Sequence, residues 1–175
     1  ACISLSQDVQ GEVFVYPEDF FNETVHVISR PKPDDYQIKE AAELIKKSKK
    51  PLIISGGGVF YSDATDELSS FATKHNIPVT QTVMGYSTMK KDHSHYLGAI
   101  GGLGGRAANN LSKETDMAIA IGTKLADFTT GSWTNFENPD FKLVSINAAR
   151  FDANKHMAQA VVGDAKVSLI ELSQA

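Results

Sequence analysis

The sequence contains three consecutive glycines, Gly56, Gly57 and Gly58, whose backbone amides could bind a ligand. They follow the apolar run 51–55, whose lack of alternation is typical of a strand covered on both faces. Because glycine has no Cβ, a ligand or a neighbouring element can approach the backbone closely there. A strand end, a glycine turn and a helix start together form the anion-binding crevice of open α/β sheets. The glycines therefore predict either a nucleotide contact or a tight packing turn.

A second glycine cluster, Gly102-Leu-Gly-Gly-Arg-Ala107, fits the G-x-G-x-x-A dinucleotide fingerprint, and Asp127 follows at a suitable distance. That fingerprint requires a strand directly before it, whereas residues 96–101 have a poor strand pattern. Asp127 also lies beyond the next predicted strand instead of at its tip. The first cluster departs from the fingerprint too, since Tyr61 occupies the last glycine position. Neither cluster alone identifies a dinucleotide site, and a turn or close helix packing is the alternative for both.

Other residues that suit ligand contact fall after predicted strands, where open α/β sheets place their ligands. Lys124 and Asp127 follow the strand that ends at Gly122, and a surface ion pair between them is the plain alternative. We predict a crevice that is either vacant or in contact with a cofactor through Gly56, Gly57, Gly58, Thr82, Met84, Gly101, Gly122, Lys124 and Asn147.

No catalytic residue and no metal site are predicted. His93 and His95 would share a face only on an extended segment and lack a third ligand, which favours structural turn histidines. The sequence contains no G-x-S-x-G elbow, no H-E-x-x-H motif and no Walker lysine after the glycines. Trp133 is predicted to be buried against another subunit, with stacking on a ligand as the alternative.

The elements that must position these residues alternate between strands and helices. Apolar runs predict strands at 52–55, 77–82, 117–121, 142–146 and 160–162. Helices are predicted from Asp34 to about Ser48, from a cap at Ser62 or Asp63 to about Asn76, from about Gly105, and after a cap at Asp164. The glycine-rich segment 83–105 has no sustained period, which is typical of functional or interface segments. The alternation indicates an α/β fold with a parallel sheet and right-handed crossovers.

The first 33 residues are predicted to be a separate lead-in, and residues 34–175 the sheet domain. Segments 2–5 and 13–16 are strand-like, and Pro17, Pro31 and Pro33 mark a linker without periodicity of its own. The sequence starts inside the first strand-like run and without a methionine. We therefore expect a piece of a longer protein.

Charge and cysteine content exclude several classes of protein. The 175 residues carry 17 Lys+Arg against 21 Asp+Glu, whereas a nucleic-acid surface needs clustered positive charge. The basic run 46–50 falls at the end of a predicted helix, where cations favour the helix dipole. Cys2 is the only cysteine, so no internal disulfide can form and a cytoplasmic location is expected. No apolar run is long enough for a membrane span, so we expect neither nucleic-acid nor membrane partners.

The order of the motifs is itself informative. In register along the chain come Ile53-Ile-Ser-Gly-Gly-Gly58, Ile77-Pro-Val-Thr-Gln-Thr82, Met84-Gly85, Asp92-His93, Leu97-Gly98, Gly101, Ala108-Asn109, Ala118-Ile-Ala-Ile-Gly-Thr-Lys-Leu-Ala-Asp-Phe128 and Val162-Gly-Asp-Ala165. This series resembles the central domain of thiamine-diphosphate-dependent enzymes of the acetolactate synthase type, over residues 34–172. Residues 3–10 resemble the tail of the preceding pyrimidine-binding domain. The resemblance implies a three-layer Rossmann-like domain with a mostly parallel sheet of about six strands.

Within that family, further motifs resemble the hydrolases that open a cyclic 1,2-dione in inositol catabolism. These are Asp127-Phe-Thr-Thr-Gly-Ser-Trp133, Asn138-Pro139, Ile146-Asn147 and Phe151-Asp-Ala-Asn-Lys-His156. The resemblance implies a parent enzyme that hydrolyses a C–C bond with thiamine diphosphate and Mg²⁺. Those cofactors would be held by flanking pyrimidine- and diphosphate-binding domains, in a homodimer or homotetramer. This chain alone would then be an inactive central domain that braces its neighbours.

An FAD- or ADP-coenzyme-binding central domain of an acetolactate synthase or decarboxylase type is the alternative. Relatives that hold FAD carry an acidic I-D-x-D segment where this chain has Ile146-Asn-Ala-Ala149, and Lys124 stands where the family usually has arginine. Under the resemblance, both departures argue against bound FAD. A free-standing Rossmann dehydrogenase is a third reading, which the defective fingerprints and the missing acid/base group disfavour.

Overall fold

The computed structural model describes residues 2–175, whose central feature is a sheet of six parallel strands. The strands are β1 Pro51–Ser55, β2 Val79–Gln81, β3 Tyr96–Ala99, β4 Met117–Ile121, β5 Lys142–Asn147 and β6 Gln159–Val162. Their order across the sheet is β3-β2-β1-β4-β5-β6, and each neighbouring pair is parallel. This order is that of dinucleotide-binding Rossmann folds, in which the order of the strands reverses between β1 and β4.

Eight α-helices surround or precede the sheet in the described residues. They are α1 Gln7–Gln10, α2 Asp35–Lys47, α3 Gly57–Tyr61, α4 Thr65–His75, α5 Arg106–Glu114, α6 Asp127–Thr130, α7 Arg150–Ala153 and α8 Ala165–Gln174. Asp34 caps α2 by accepting the Tyr36 N–H at 2.8 Å. Asp164 caps α8 by accepting the N–H groups of Lys166 and Val167 at 3.0 and 3.2 Å. The predicted caps at Asp34 and Asp164 are confirmed.

The two faces of the sheet are covered differently. On one face, α2, α4 and α8 bury a core that includes Ile53, Ile119 and Leu169. On the other, Ala118 and Ala120 pack with α5 and with the aromatic connection 131–141, which replaces a long helix between β4 and β5. Alternate residues of β4 thus point to opposite cores. The predicted three-layer α/β Rossmann-like domain with about six strands is confirmed.

The strand prediction for segments 2–5 and 13–16 is wrong. Both lie outside any strand of the described residues, and α1 and a 3₁₀ turn at Glu18–Phe21 are the regular elements there. Every residue from position 2 to position 32 is exposed. A β-rich composition forms a strand only beside a partner strand that takes its hydrogen bonds. No such partner lies beside these segments in the described part of the chain.

Two other elements differ from the prediction. β3 forms although its sequence has a poor strand pattern, because it is an edge strand whose residues are only half-buried. The helix after the glycine turn is capped at Ala64, not at Ser62 or Asp63, since Asp63 adopts a left-handed φ of 53°. The short helix α3 begins at Gly57 itself. The sequence does not predict it, because glycine has a low helix propensity.

The amino edge of the sheet is closed by Asp116, which precedes β4. Its carboxylate accepts hydrogen bonds from the Ser48 hydroxyl and from the backbone N–H groups of Lys49 and Lys50 at 2.8 and 3.0 Å. Burial acts to raise the pKa of Asp116, but these hydrogen bonds outweigh it and hold the pKa below its usual value.

Among the helices of residues 2–175, none has both the length and the apolar character that a membrane span requires.

Candidate functional site

The candidate site lies at the carboxyl ends of β1 and β4, where the strand order reverses. The Gly56 N–H donates to the carbonyl oxygen of Ile121 at 2.8 Å, and the Gly58 N–H donates to that of Gly122 at 2.9 Å. Two of the three glycine amides therefore extend the pairing of β1 with β4 beyond the sheet. They hold the two strand ends together and are not turned toward an open cradle.

The glycines also let the two loops touch through their backbones. A Cβ built on Gly58 would lie 2.5 Å from the Cα of Gly122, and one built on Gly122 would lie 2.5 Å from the Cα of Gly58. Real Cβ atoms do not come this close to backbone atoms. Gly122 also has a φ of 61°, a left-handed conformation that glycine adopts without strain. Gly56, Gly58 and Gly122 are thus required for close packing at the switch point, which is the place where the strand order reverses.

The loop after β2 lies beside the same glycines. The Thr82 N–H donates to the carbonyl oxygen of Ser55 at 2.9 Å, and its hydroxyl accepts the Gly85 N–H at 3.0 Å. The Met84 carbonyl oxygen lies 3.0 Å from a Cβ built on Gly57, while the Met84 side chain is exposed. Thr82, Met84 and the three glycines therefore lie together at this edge of the sheet.

Beneath this loop lies a buried hydroxyl network centred on Thr88. The Thr88 hydroxyl donates to the Gly85 carbonyl oxygen at 2.7 Å, accepts from Gln81 Nε2 at 3.1 Å, and lies 2.7 Å from the Ser55 hydroxyl. Thr88 is fully buried. Because buried polar groups need partners, this network fixes the 83–88 turn against the ends of β1 and β2.

The remaining predicted residues divide into two groups. Asn147 donates from Nδ2 to the Thr123 carbonyl oxygen at 3.1 Å and accepts the Ala149 N–H at 3.0 Å, which places it at the switch point with both amide atoms bonded. Lys124 is exposed beside it, and no ion pair joins Lys124 to Asp127 among residues 2–175.

Gly101 belongs to a different contact. Its N–H donates to the Asn109 side chain at 2.9 Å, and the next residue, Gly102, donates its N–H to the Phe128 carbonyl oxygen at 2.8 Å. The glycines after β3 thus pack against the loop after β4, not against Gly56–Gly58. The second glycine cluster forms the turn between β3 and α5, and this turn packs against that loop.

The crevice fits poorly as a cradle for a diphosphate. A phosphate cradle needs several backbone amides turned toward the anion, and the amides of Gly56 and Gly58 already donate to β4. Asn147, at the end of β5, offers no carboxylate for a ribose hydroxyl. What the arrangement does is join β1, β2, β4 and β5 at one rigid edge.

The histidines and Trp133 lie in structural contacts. His95 Nε2 lies 2.9 Å from the Asn76 side-chain oxygen, and His93 Nε2 lies 3.3 Å from the Thr73 hydroxyl. The part of the chain that the structure describes contains no group of three or more His, Cys, Asp or Glu that could hold a metal. The Trp133 ring lies 4.4 Å from that of His156, whose pKa is lowered by burial and by the nearby Lys155 cation.

Sequence reasoning missed the most conspicuous feature of this edge, a set of exposed apolar side chains. They follow the carboxyl ends of four different strands and are exposed by 59% to 75%: Phe60, Tyr61, Met84, Tyr86, Leu103 and Phe128. We call this set the apolar edge. Its signal was present in the sequence, because each residue falls shortly after a strand, where connecting loops are usually polar.

Comparison with known proteins identifies the family of this domain. The sequence model of the family "Thiamine pyrophosphate enzyme, central domain" matches residues 38–172. The chain belongs to that family. The resemblance seen in the order of motifs is thereby confirmed, and this central domain can be compared directly with its relatives.

The most similar curated relatives include two clostridial proteins. A 3D-(3,5/4)-trihydroxycyclohexane-1,2-dione hydrolase of Clostridium perfringens (strain 13 / Type A) is 45% identical over 171 residues, which are 98% of this chain and 27% of the relative. The hydrolase of the same name from Clostridium botulinum (strain Alaska E43 / Type E3) is 48% identical over 96% of this chain and 26% of its own length. The central domain therefore spans about a quarter of the relatives that it matches.

Solved structures support the same fold. A benzoylformate decarboxylase from Polynucleobacter necessarius superposes with a TM-score of 0.68 at 22% identity, over 92% of this chain and 30% of that one. A thiamin diphosphate-dependent enzyme isolated from Mycobacterium smegmatis gives 0.67 at 21% identity, over 87% and 30%. At these identities the likeness concerns the fold of the central domain alone.

Proposed function

We propose that this chain is the non-catalytic central domain of a thiamine-diphosphate-dependent enzyme that hydrolyses a C–C bond of a cyclic 1,2-dione in inositol catabolism. The substrate class rests on the dione hydrolases that are 45% and 48% identical over nearly the whole chain. These relatives are about four times as long as the matched region, which leaves room for domains that hold the cofactor.

The observation that carries the proposed bracing role is the apolar edge. The loops that carry Phe60, Tyr61, Met84 and Tyr86 are held by the switch-point glycines and by the Thr88 network. The loops that carry Leu103 and Phe128 are joined by the hydrogen bond from the Gly102 N–H to the Phe128 carbonyl oxygen. A cluster of exposed large apolar side chains on a soluble domain marks an interaction surface. Its occupants are, in this proposal, the pyrimidine- and diphosphate-binding domains of the same polypeptide, in a homodimer or homotetramer in the cytoplasm.

Thiamine diphosphate supplies the carbanion chemistry of such an enzyme, and the protein supplies binding and orientation. In our proposal that cofactor and Mg²⁺ are held by the flanking domains. This chain's residues keep the apolar edge in place, so that the neighbouring domains meet at a fixed angle and the substrate entrance keeps its shape. None of the nine predicted crevice residues is assigned a step in the reaction.

An FAD- or ADP-coenzyme site at the β1/β4 switch point is the second candidate. It is favoured by the strand order, because dinucleotides bind at this point in Rossmann folds. It is disfavoured by the amides of Gly56 and Gly58, which donate to Ile121 and Gly122. We propose that the glycines close the crevice by packing and that the central domain holds no flavin.

We expect the apolar edge to become protected when the natural longer polypeptide surrounds this domain. Amide exchange would be measured by mass spectrometry for the 175-residue protein and for the longer one. Peptides covering 83–86, 101–104 and 126–131 should exchange at least about tenfold more slowly in the longer protein, because docked domains exclude water from them. Peptides covering the opposite edge, 48–50 and 138–141, are the internal control and should change less. Equal exchange of the apolar edge in both proteins would contradict the bracing role.

A further inference from the structure

A short segment, residues 30–33, joins the exposed lead-in to the domain and is held against the start of α8. The Pro31 carbonyl oxygen accepts the Asp164 N–H at 2.9 Å. Pro33 is buried, whereas the residues from 2 to 32 are exposed. A Cβ built on Gly163 would lie 2.9 Å from Pro33 Cδ. The missing side chain at Gly163 therefore makes the space that Pro33 occupies.

Arg30 provides the polar part of this contact. Its guanidinium nitrogen Nη1 donates to Asp164 Oδ2 at 3.2 Å and also to the carbonyl oxygen of Ser62. The Asp164 side chain is only 8% exposed, and its other oxygen, Oδ1, caps α8. One carboxylate therefore holds a helix end with one oxygen and Arg30 with the other. The Arg30 side chain is 43% exposed, but because the carboxylate is mostly buried the pair is screened less than one between two exposed groups.

The contact reaches the turn that follows the glycine crevice. Arg30 binds the carbonyl oxygen of Ser62, and Lys166 Nζ donates to the next carbonyl oxygen, that of Asp63, at 3.0 Å. Asp63 has a left-handed φ of 53°, a conformation that surrounding contacts must hold in a non-glycine residue. This turn joins α3, which starts at Gly57, to α4. Two cations thus fix consecutive carbonyl groups between the lead-in and the crevice.

We propose that Arg30, Gly163 and Asp164 form an anchor that fixes the direction in which residues 2–29 leave the domain. Without it, the lead-in has no buried residue to hold it in place. Arg30 is the positioning residue, since it joins the segment to both α8 and the Ser62–Asp63 turn. The anchor is a property of this chain and does not depend on the proposed reaction.

The test is Arg30→Ala in the 175-residue protein, with exchange of individual amides followed by NMR. The informative proton is the Asp164 N–H, because its acceptor, Pro31, belongs to the anchored segment. We expect it to exchange at least about tenfold faster in Arg30→Ala, as befits loss of a charged hydrogen bond. The β4 amides should stay within about twofold, because the sheet opens separately.

Three further variants sharpen the test. Lys113→Ala removes a cation from the exposed pair with Glu137 and should leave the Asp164 amide unchanged. Arg30→Lys keeps the charge and should restore most of the protection. Asp164→Asn keeps a helix cap but loses the ion pair. It replaces Arg30→Ala in the test if that variant fails to fold, and we expect it to speed exchange of the amide at position 164. Unchanged exchange at Asp164 would overturn the proposal, and so would equal acceleration throughout β4, which would make Arg30 a contributor to global stability only.

Discussion

Replacing Gly122 by alanine should lower the free energy of unfolding by about 4 kcal/mol, from strain at a left-handed residue together with overpacking. Both effects act at the same atom. The φ of 61° is unfavourable for any residue with a Cβ, and that Cβ would meet the Gly58 backbone at 2.5 Å. Since the obstacle is backbone and not the end of a flexible side chain, the β1 and β4 loops must separate. Urea unfolding followed by circular dichroism measures the loss as a midpoint lower by about 2 M.

The matched control for this variant is Gly102→Ala, another glycine-to-alanine change at the same edge of the sheet. A Cβ there would lie 3.7 Å from the Phe128 side chain, an ordinary contact, and φ is not left-handed. We expect its unfolding midpoint to stay within about 0.5 M of the native value. If both variants unfold at the same urea concentration, the packing role assigned to the switch-point glycines is wrong.

Thr88→Val should cost about 2 kcal/mol although the two side chains have nearly the same shape. Valine removes the acceptor of Gln81 Nε2 and the partner of the Ser55 hydroxyl, in a position without solvent exposure. The Ser55 hydroxyl keeps the Thr80 carbonyl oxygen and Gln81 keeps that of Met89, so one N–H of Gln81 is left without an acceptor. A buried donor without a partner carries its full desolvation cost. The loss should appear as a lower melting temperature and as faster amide exchange in the 83–88 turn.

Thr73→Val is the control, because it makes the same chemical change on the exposed surface of α4. The Thr73 hydroxyl donates to the Ser69 carbonyl oxygen at 2.8 Å within its own helix and lies 3.3 Å from His93 Nε2. Both contacts are exposed, so water can replace them. A melting temperature within about 1 °C of the native protein is expected, as for most surface substitutions. An equal loss from Thr73→Val and Thr88→Val would mean that the buried network does not stabilise the 83–88 turn.

The sequence alone predicts much of the fold because the central strands are locally distinctive. β4 is apolar at each of its five positions, and the structure gives it the predicted bounds, Met117–Ile121. The caps Asp34 and Asp164 mark helix starts through a local side-chain-to-backbone bond. β3 could not be predicted in this way, because an edge strand that is covered on part of its surface needs no apolar run. Its Gly98 even has a φ of 92°.

The sequence predicts where the candidate site lies, but not whether its glycines contact a ligand or a neighbouring loop. Three glycines after a strand indicate close approach of something, whether a ligand or a neighbouring loop. Which of the two applies depends on the pairing of β1 with β4, two segments far apart in sequence. The Arg30–Asp164 contact spans 134 positions and likewise leaves no local pattern. Such contacts appear only when the strand order is known.

The most direct test of the central claim, that the chemistry lies outside this chain, is a turnover assay on the 175-residue protein. The protein is incubated with thiamine diphosphate, Mg²⁺ and trihydroxycyclohexane-1,2-dione, and ring opening is followed by NMR beside the dione hydrolase of Clostridium perfringens. We expect cleavage by that hydrolase and none by the 175-residue protein. Ring opening by the 175-residue protein alone would contradict the claim.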